Sequence, residues 1–208
     1  MGSIRKILGR LYRLLVEADR TLYADGMRRR YDIHPTARWG YRTRICGEGS
    51  IAIGTDTYFG DSCYPSAHPK GVHIRIGRGC AIAHNVHFRT TNFRHTERFA
   101  DALHSEPEAA DIVIVDYCWI GNHVYMGPGV TIGENCIIGA NNVVAHDVPP
   151  DSVVGGVPAR VIGDKRTYAT RSLSRAHTAA PPASRRREEV ESFCSDKGRG
   201  DTPVRSGH

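Results

Sequence analysis

Two histidines lie in a long polar stretch of the sequence, residues 89–113, which also contains threonine, asparagine, arginine and glutamate side chains. These residues are His95 and His104. A neutral imidazole, whose pKa is ordinarily roughly 6.5, can accept a proton from an attacking hydroxyl or amine at neutral pH. From the residues alone, the two histidines are equal candidates for a general base.

The sequence on both sides of this stretch repeats with a period of six. The aliphatic positions of the repeat after the stretch are Ile114, Ile120, Met126, Ile132, Ile138 and Val144, and glycine usually follows them. This period predicts a three-sided coil of short parallel strands, with about 18 residues in each turn and one aliphatic side chain per strand pointing inward. Fragments of the same repeat occur at 45–65 and 76–88.

Residues 89–113 interrupt this period, and a long polar insertion in a regular solenoid is usually a functional loop. A shorter break runs from Tyr64 to Val72. His84 and His87 flank an inward-pointing valine, so we expect both to point outward. The cysteines that occupy a small position of the repeat are Cys63, Cys80, Cys118 and Cys136. We expect them to be buried small hydrophobic residues rather than metal ligands or disulfide partners.

The two ends of the chain differ from the repeat region. Residues from about Ile4 to Tyr23 have apolar side chains at helical spacing and basic ones mostly off that stripe. We expect this amphipathic helix to pack on its own domain or on a neighbouring subunit, and contact with an anionic membrane surface is the alternative. The predicted organisation is a helix and linker over 1–40, a β-helix over 41–163 and a disordered basic tail over 164–208.

The segment from Ile114 to Gly163, which ends in VPPDSVVGGVPARVIG, resembles the hexapeptide acyltransferases. Within that family it is most similar to the maltose and galactoside O-acetyltransferases and to related polysaccharide-modifying enzymes. The resemblance implies an all-β, left-handed parallel β-helix, with the short α-helix and the disordered tail at its ends. It also implies a homotrimer with active sites between subunits, and acetyl-CoA as a co-substrate rather than a permanently bound cofactor.

The resemblance also suggests roles for individual residues. It favours His95 over His104 as the catalytic base, because the family's histidine lies about two dozen residues before the tryptophan of a Trp-Ile-Gly motif, and Trp119, which begins that motif here, follows His95 by 24 residues. The acetyl-CoA site would be formed by Trp119, Asn122, Ala140, Ala145, His146 and Arg160. Since His146 replaces a lysine that is common in the family, Arg160 is the better candidate for contacting the CoA phosphates. On the acceptor side, Tyr64 and Asn92 are the candidates.

The function implied is transfer of an acetyl group from acetyl-CoA to a hydroxyl of a sugar or glycan precursor, directly and with His95 as general base. N-acetylation of an amino sugar, or acetylation of a xenobiotic, is the alternative, because the same base serves both. A non-catalytic β-helix scaffold is a third possibility. A zinc enzyme like the gamma-class carbonic anhydrases is a fourth, since His68 and His73 have the five-residue spacing of two of their zinc ligands. We expect no metal site.

Composition gives few clues to partners. The net charge of +6 arises mostly in the tail, so no nucleic-acid partner is expected. No apolar run approaches the length of a membrane span, and the amino terminus lacks the layout of a signal peptide. We therefore expect a cytoplasmic protein.

Overall fold

The computed structural model describes residues 2–92 and 107–167, which belong to one compact unit, Met1–Tyr168. Helix α1 spans Gly2–Arg30. In chain order the strands are β1 (Asp32–Ile33), β2 (Arg38–Trp39), β3 (Cys46–Gly47), β4 (Ser50–Ile53), β5 (Tyr58–Phe59), β6 (Tyr64–Ala67), β7 (His73–Ile76), β8 (Ala81–Ile82), β9 (His87–Arg89), β10 (Thr91–Asn92), β11 (Glu108–Ala109), β12 (Ile112–Ile114), β13 (Trp119–Ile120), β14 (Tyr125–Met126), β15 (Thr131–Ile132), β16 (Ile137–Ile138), β17 (Val143–Val144), β18 (Ser152–Gly155) and β19 (Arg160–Asp164).

Most of these strands belong to three sheets that the chain visits in turn. The first sheet has the order β1-β4-β7-β12-β15, the second β2-β5-β8-β13-β16-β18-β19, and the third β3-β6-β9-β14-β17. Among the described strands, pairing is parallel except between β10 and β11 and between β18 and β19. The prediction of parallel strands preceded by an amino-terminal helix is confirmed.

The inward positions of the repeat stack into apolar columns. In the first sheet, Ile76, Ile114 and Ile132 occupy one register, and each is exposed by 3% or less. Phe88 and Met126 are aligned in the third sheet and fully buried. Each turn of the coil therefore covers the apolar residues of the turn before it, which is how a solenoid builds its core.

Glycine follows the inward residue because adjacent turns leave no room for a side chain there. A Cβ atom added at Gly121 would lie 2.6 Å from the backbone nitrogen of Ala140 in the next turn. Gly47 lies two residues after the buried Ile45 and has a φ of +125°, and its Cβ would lie 1.9 Å from the carbonyl oxygen of Ala67. Glycine is required at both positions by this close approach of backbone to backbone.

The four cysteines of the repeat are buried and form no disulfide, as predicted. Each thiol donates to a carbonyl oxygen of the following turn, as the Cys63 Sγ does to Ala83 O at 2.9 Å and the Cys118 Sγ to Gly133 O at 3.0 Å. Burial raises the pKa of the Cys63 thiol. The Cys63 thiol therefore stays protonated and acts as a packing and hydrogen-bonding group.

The coil begins earlier and the helix ends later than the predicted boundaries. Ile33 and Trp39 are buried in β1 and β2, so the coil starts at Asp32 rather than at residue 41. Helix α1 continues to Arg30 because its last turns pack on the coil. The Tyr23 hydroxyl accepts a hydrogen bond from the Ile45 backbone nitrogen at 2.7 Å.

The last described turn of the coil is closed by an antiparallel pair rather than by another turn. Strand β19 returns beside β18, with Val154 opposite Val161 and Gly155 opposite Arg160. Residues 168–208, which include most of the predicted tail, lie outside the described residues. Within the described ranges, no helix combines the length and the apolar character needed to cross a bilayer.

Candidate active site

The predicted base, His95, and its rival, His104, both lie outside the described residues, within 93–106. The structure describes the two ends of that loop. Strand β10 leaves the third sheet directly after β9 and pairs with β11, so that Asn92 lies opposite Glu108. The loop that carries both histidines therefore starts and ends at a two-stranded stem beside the third sheet.

Thr90 fixes this stem to the coil, a role that the sequence did not suggest. Its side chain is fully buried. The hydroxyl donates to the carbonyl oxygen of His68 at 2.7 Å and accepts from the His68 backbone nitrogen at 2.9 Å. The Ala110 nitrogen donates to the Thr90 carbonyl at 2.9 Å. The two breaks in the repeat, 64–72 and 89–113, therefore meet at a single threonine.

Three ring side chains form an outward-facing column on the third sheet next to the stem. Tyr64, His87 and Tyr125 occupy one register in consecutive strands of that sheet, β6, β9 and β14. The rings of Tyr64 and His87 are tilted by 38° with their centroids 6.0 Å apart. His87 is exposed, as is His84, in agreement with the sequence prediction.

The ring column has the chemistry of a carbohydrate-binding surface. Aromatic faces pack against apolar ring surfaces, while hydroxyl and imidazole groups exchange hydrogen bonds with hydroxyl groups. The side-chain hydrogen bond between Tyr64 and Cys46 raises the pKa of the Tyr64 phenol, so the phenol stays neutral. The sequence singled out Tyr64 but missed Tyr125, whose outward position one residue before Met126 was the available signal.

Trp119 lies on the second sheet, with 48% of its surface exposed. It is in register with Ala81 and Ile137. Asn122 follows at the corner between β13 and β14, where its Oδ1 accepts a hydrogen bond from the His84 backbone nitrogen at 2.9 Å. The carboxamide oxygen of Asn122 thus joins two turns of the coil, and its NH₂ group remains the part that can meet a ligand.

His146 and Arg160, although distant in sequence, line one pocket of about 200 Å³. Asp147 and several valines complete its wall. The closing β18–β19 pair brings Arg160 back to the coil, and the Ala159 nitrogen fixes the turn by donating to the Val143 carbonyl at 2.9 Å. This pocket combines apolar walls with a guanidinium, and that combination suits a phosphate-bearing ligand.

The remaining predicted donor-site residues are small and lie at the surface. Ala140 and Ala145 are both exposed. They lie in the last described turns of the coil, next to the strands that carry the pocket. Within one chain, the structure brings His146 and Arg160 together, whereas Trp119 and the ring column lie on different sheets.

The zinc alternative receives no support from side-chain placement. Nδ1 of His73 contacts the Ser50 hydroxyl, and the His73 backbone nitrogen donates to Asp111 Oδ1 at 2.8 Å. In the ranges that the structure describes, no three histidine, cysteine or acidic side chains are grouped to hold a metal ion.

A cavity of about 520 Å³ lies at the edge of the first sheet and was not expected from the sequence. Asp32, His34 and Arg75 are among its lining residues. It lies on the first sheet, away from the stem and the ring column, and we assign it no part in the chemistry.

The family model for the bacterial transferase hexapeptide (six repeats) matches residues 111–146. Galactoside O-acetyltransferase of Escherichia coli (strain K12) is 43% identical over 91 residues, which is 43% of this chain and 43% of that protein. The chain spans about half the length of the curated relatives that it matches.

Two solved structures extend the comparison. A maltose O-acetyltransferase from Clostridium difficile 630 has a TM-score of 0.58 at 27% identity, over 68% of this chain and 73% of that chain. A hexapeptide-repeat acetyltransferase from Vibrio cholerae, complexed with acetyl coenzyme A, has 30% identity over 61% of this chain and 70% of that chain, with a TM-score of 0.49.

Proposed function

We propose that this chain, a member of the bacterial hexapeptide-repeat transferases, moves an acetyl group from acetyl-CoA to a hydroxyl of a sugar or glycan precursor. The observation that carries the proposal is the 43% identity to galactoside O-acetyltransferase over 91 residues. The relatives' names, galactoside O-acetyltransferase and maltose O-acetyltransferase, support an acetyl group as the group transferred.

For the donor, we propose that Arg160 and His146 receive the CoA phosphates in their shared pocket. The pantetheine arm would then run over Ala140 and Ala145, whose short side chains allow close approach to the backbone. Trp119 and Asn122 would meet the thioester end. The support for this assignment is the convergence of His146 and Arg160 on one pocket, although the two are separated in sequence.

For the acceptor, we propose that the sugar packs on the ring column, with Tyr64, His87 and Tyr125 as its platform. Asn92, at the start of the loop, would add an amide contact. The column faces outward and lies next to the stem of the loop that contains His95. The support for this assignment is the position of the column beside the stem that flanks residues 93–106.

The proposed reaction is direct transfer in a ternary complex. His95 removes the proton from the acceptor hydroxyl as its oxygen attacks the thioester carbonyl. The tetrahedral oxyanion is stabilised by backbone amides or by the Asn122 NH₂ group. Collapse of this intermediate breaks the carbon–sulfur bond, and the imidazolium returns its proton to the CoA thiolate. No covalent enzyme intermediate is required because the thioester is already activated.

We also propose that the coil is left-handed and that the protein is a homotrimer. Trp119 and the ring column lie on different sheets of the same chain. Residues on two faces of a three-sided coil meet when a second coil packs against the corner between them, which supports active sites shared by two subunits. A stable monomer in analytical ultracentrifugation would contradict this arrangement.

The test of the proposed function is release of CoA thiol from acetyl-CoA, measured across sugars, amino sugars and nucleotide sugars. We expect turnover with a hydroxyl acceptor, and product analysis should locate an O-acetyl ester. Turnover restricted to amino sugars would favour N-acetylation instead. No turnover, together with no binding of CoA, would favour the scaffold.

A further inference from the structure

The amino-terminal part of α1 carries an apolar stripe that the described part of the chain leaves uncovered. Its members are Ile7, Leu8, Leu11, Leu14, Leu15 and Leu22. The exposed fraction of these side chains runs from 52% at Leu11 to 71% at Leu22. Burial of a leucine side chain is worth about 1.5–3 kcal/mol, so such a stripe is stabilised by contact with another surface.

The stripe points away from the chain's own coil. The residues of α1 that pack against the core are Tyr23, Ala24 and Met27. At about 100° per residue, these three lie roughly 120–160° around the helix axis from Leu11. The last turns of α1 therefore attach to the coil by one side, while the stripe occupies the other side. The coil cannot cover the stripe while this attachment is in place.

The charges beside the stripe are mainly positive. Arg5, Lys6, Arg10 and Arg13 lie in the same part of the helix and are exposed, and Glu17 and Asp19 are the acidic residues there. If two copies of this helix packed side by side, the basic side chains of one copy would lie close to those of the other and repel them. An anionic surface attracts them instead, at about 1 kcal/mol for each basic residue near it.

The shape of the stripe also fits a flat surface better than a helix partner. From Leu14 on one side to Leu8 on the other, it covers roughly 120° of the helix circumference. The apolar seam of a coiled coil uses only two positions of each seven-residue repeat and is narrower than this. A broad apolar face with basic residues on the polar side is the pattern of a helix that lies in the plane of a membrane interface.

We infer that α1 docks on the surface of an anionic lipid bilayer, with Leu11 and its neighbours among the acyl chains and the arginines near the headgroups. This inference does not depend on the acetyltransferase assignment. Helix α1, once docked, would hold the coil against the membrane through the attachment at Tyr23 and Met27.

The test uses the full-length protein and large vesicles, with no acyl-CoA present. We expect the protein to float with vesicles that contain phosphatidylglycerol, and to float much less with pure phosphatidylcholine. Leu11→Asp is compared with Gly9→Asp, because both add one negative charge to the same helix. Gly9 lies on the opposite side, where an added Cβ meets nothing within 4 Å. Beyond any loss in Gly9→Asp, Leu11→Asp should lose about 10-fold or more in partitioning.

Raising the salt from 0.1 M to 1 M shortens the Debye length from about 10 Å to about 3 Å, so binding should fall. The inference is overturned if the wild-type protein ignores anionic vesicles. It is also overturned if the two aspartate variants bind equally well. A lighter species in sedimentation of Leu11→Asp, without vesicle binding by the wild type, would assign the stripe to a second copy of the chain. Circular dichroism should match in all variants because the substituted positions are exposed.

Discussion

Replacing Arg160 by alanine should weaken the binding of CoA by about 10-fold. Arg160 lines the pocket that it shares with His146, and its Nη1 donates to the neighbouring Ala159 carbonyl at 2.8 Å. A hydrogen bond to a charged group is worth about 1.5–3 kcal/mol. Arg160 is exposed, so solvent screening favours the lower end of that range, about 1.5 kcal/mol, which corresponds to a change of roughly 10-fold.

Isothermal titration with CoA and with dephospho-CoA, which lacks the 3′-phosphate, gives the measurement. A loss of affinity limited to CoA would assign Arg160 to the 3′-phosphate, and a loss for both ligands would assign it to the diphosphate. Arg38→Ala is the matched control, because Arg38 is an exposed arginine in β2, at the opposite end of the same sheet from β19. Wild-type affinity of Arg160→Ala for both ligands would refute the assignment of this pocket to CoA.

Three further predictions concern the coil and the stem. Thr90→Val removes both hydrogen bonds to His68 and should lower the free energy of unfolding by about 1–3 kcal/mol in urea titrations, with acetyl transfer reduced, whereas Thr90→Ser should stay near wild type. Gly121→Ala should destabilise the folded protein by about 1–3 kcal/mol in thermal melts, because the new Cβ would lie 2.6 Å from the Ala140 nitrogen of the next turn. Gly26→Ala, whose Cβ would have nothing within 4 Å, should be neutral or slightly stabilising in the same measurement. Burial raises the pKa of Cys63 above the ordinary value of 9.0, so its contribution to stability is complete below pH 9.0 and is lost as the pH rises further. The free energy of unfolding of Cys63→Ala should therefore decline less steeply between pH 8 and pH 10 than that of the wild-type protein. An equal slope in the two proteins would contradict this.

The repeat made the interior of the coil predictable because one residue type recurs at one inward position. Ile114, Ile120 and Ile138 all lie where the period of six places them, and all are buried. The first turn was missed because it lacks that regularity. Its inward residues include Ala37 and Trp39, which differ in size and are not aliphatic repeats of one another. Packing against α1, rather than a local pattern, completes this turn.

The candidate site was predictable only in part. The resemblance singled out His146 and Arg160, but only the antiparallel closing pair explains how they reach one pocket. The contact of Thr90 with His68 could not be predicted, because His68 belongs to a different break in the repeat. Tyr125 was missed for a related reason. The period marks inward residues, whereas binding depends on the outward residues of neighbouring turns.

The most direct test of the proposed chemistry compares His95→Ala with His104→Ala in acetyl transfer to the best acceptor, with CoA binding measured alongside. If His95 is the general base, its loss should lower kcat by roughly 100-fold or more. CoA binding should be unchanged in both variants, and His104→Ala should retain most of its turnover. Wild-type turnover in His95→Ala, or the large loss in His104→Ala instead, would contradict the assignment of the base.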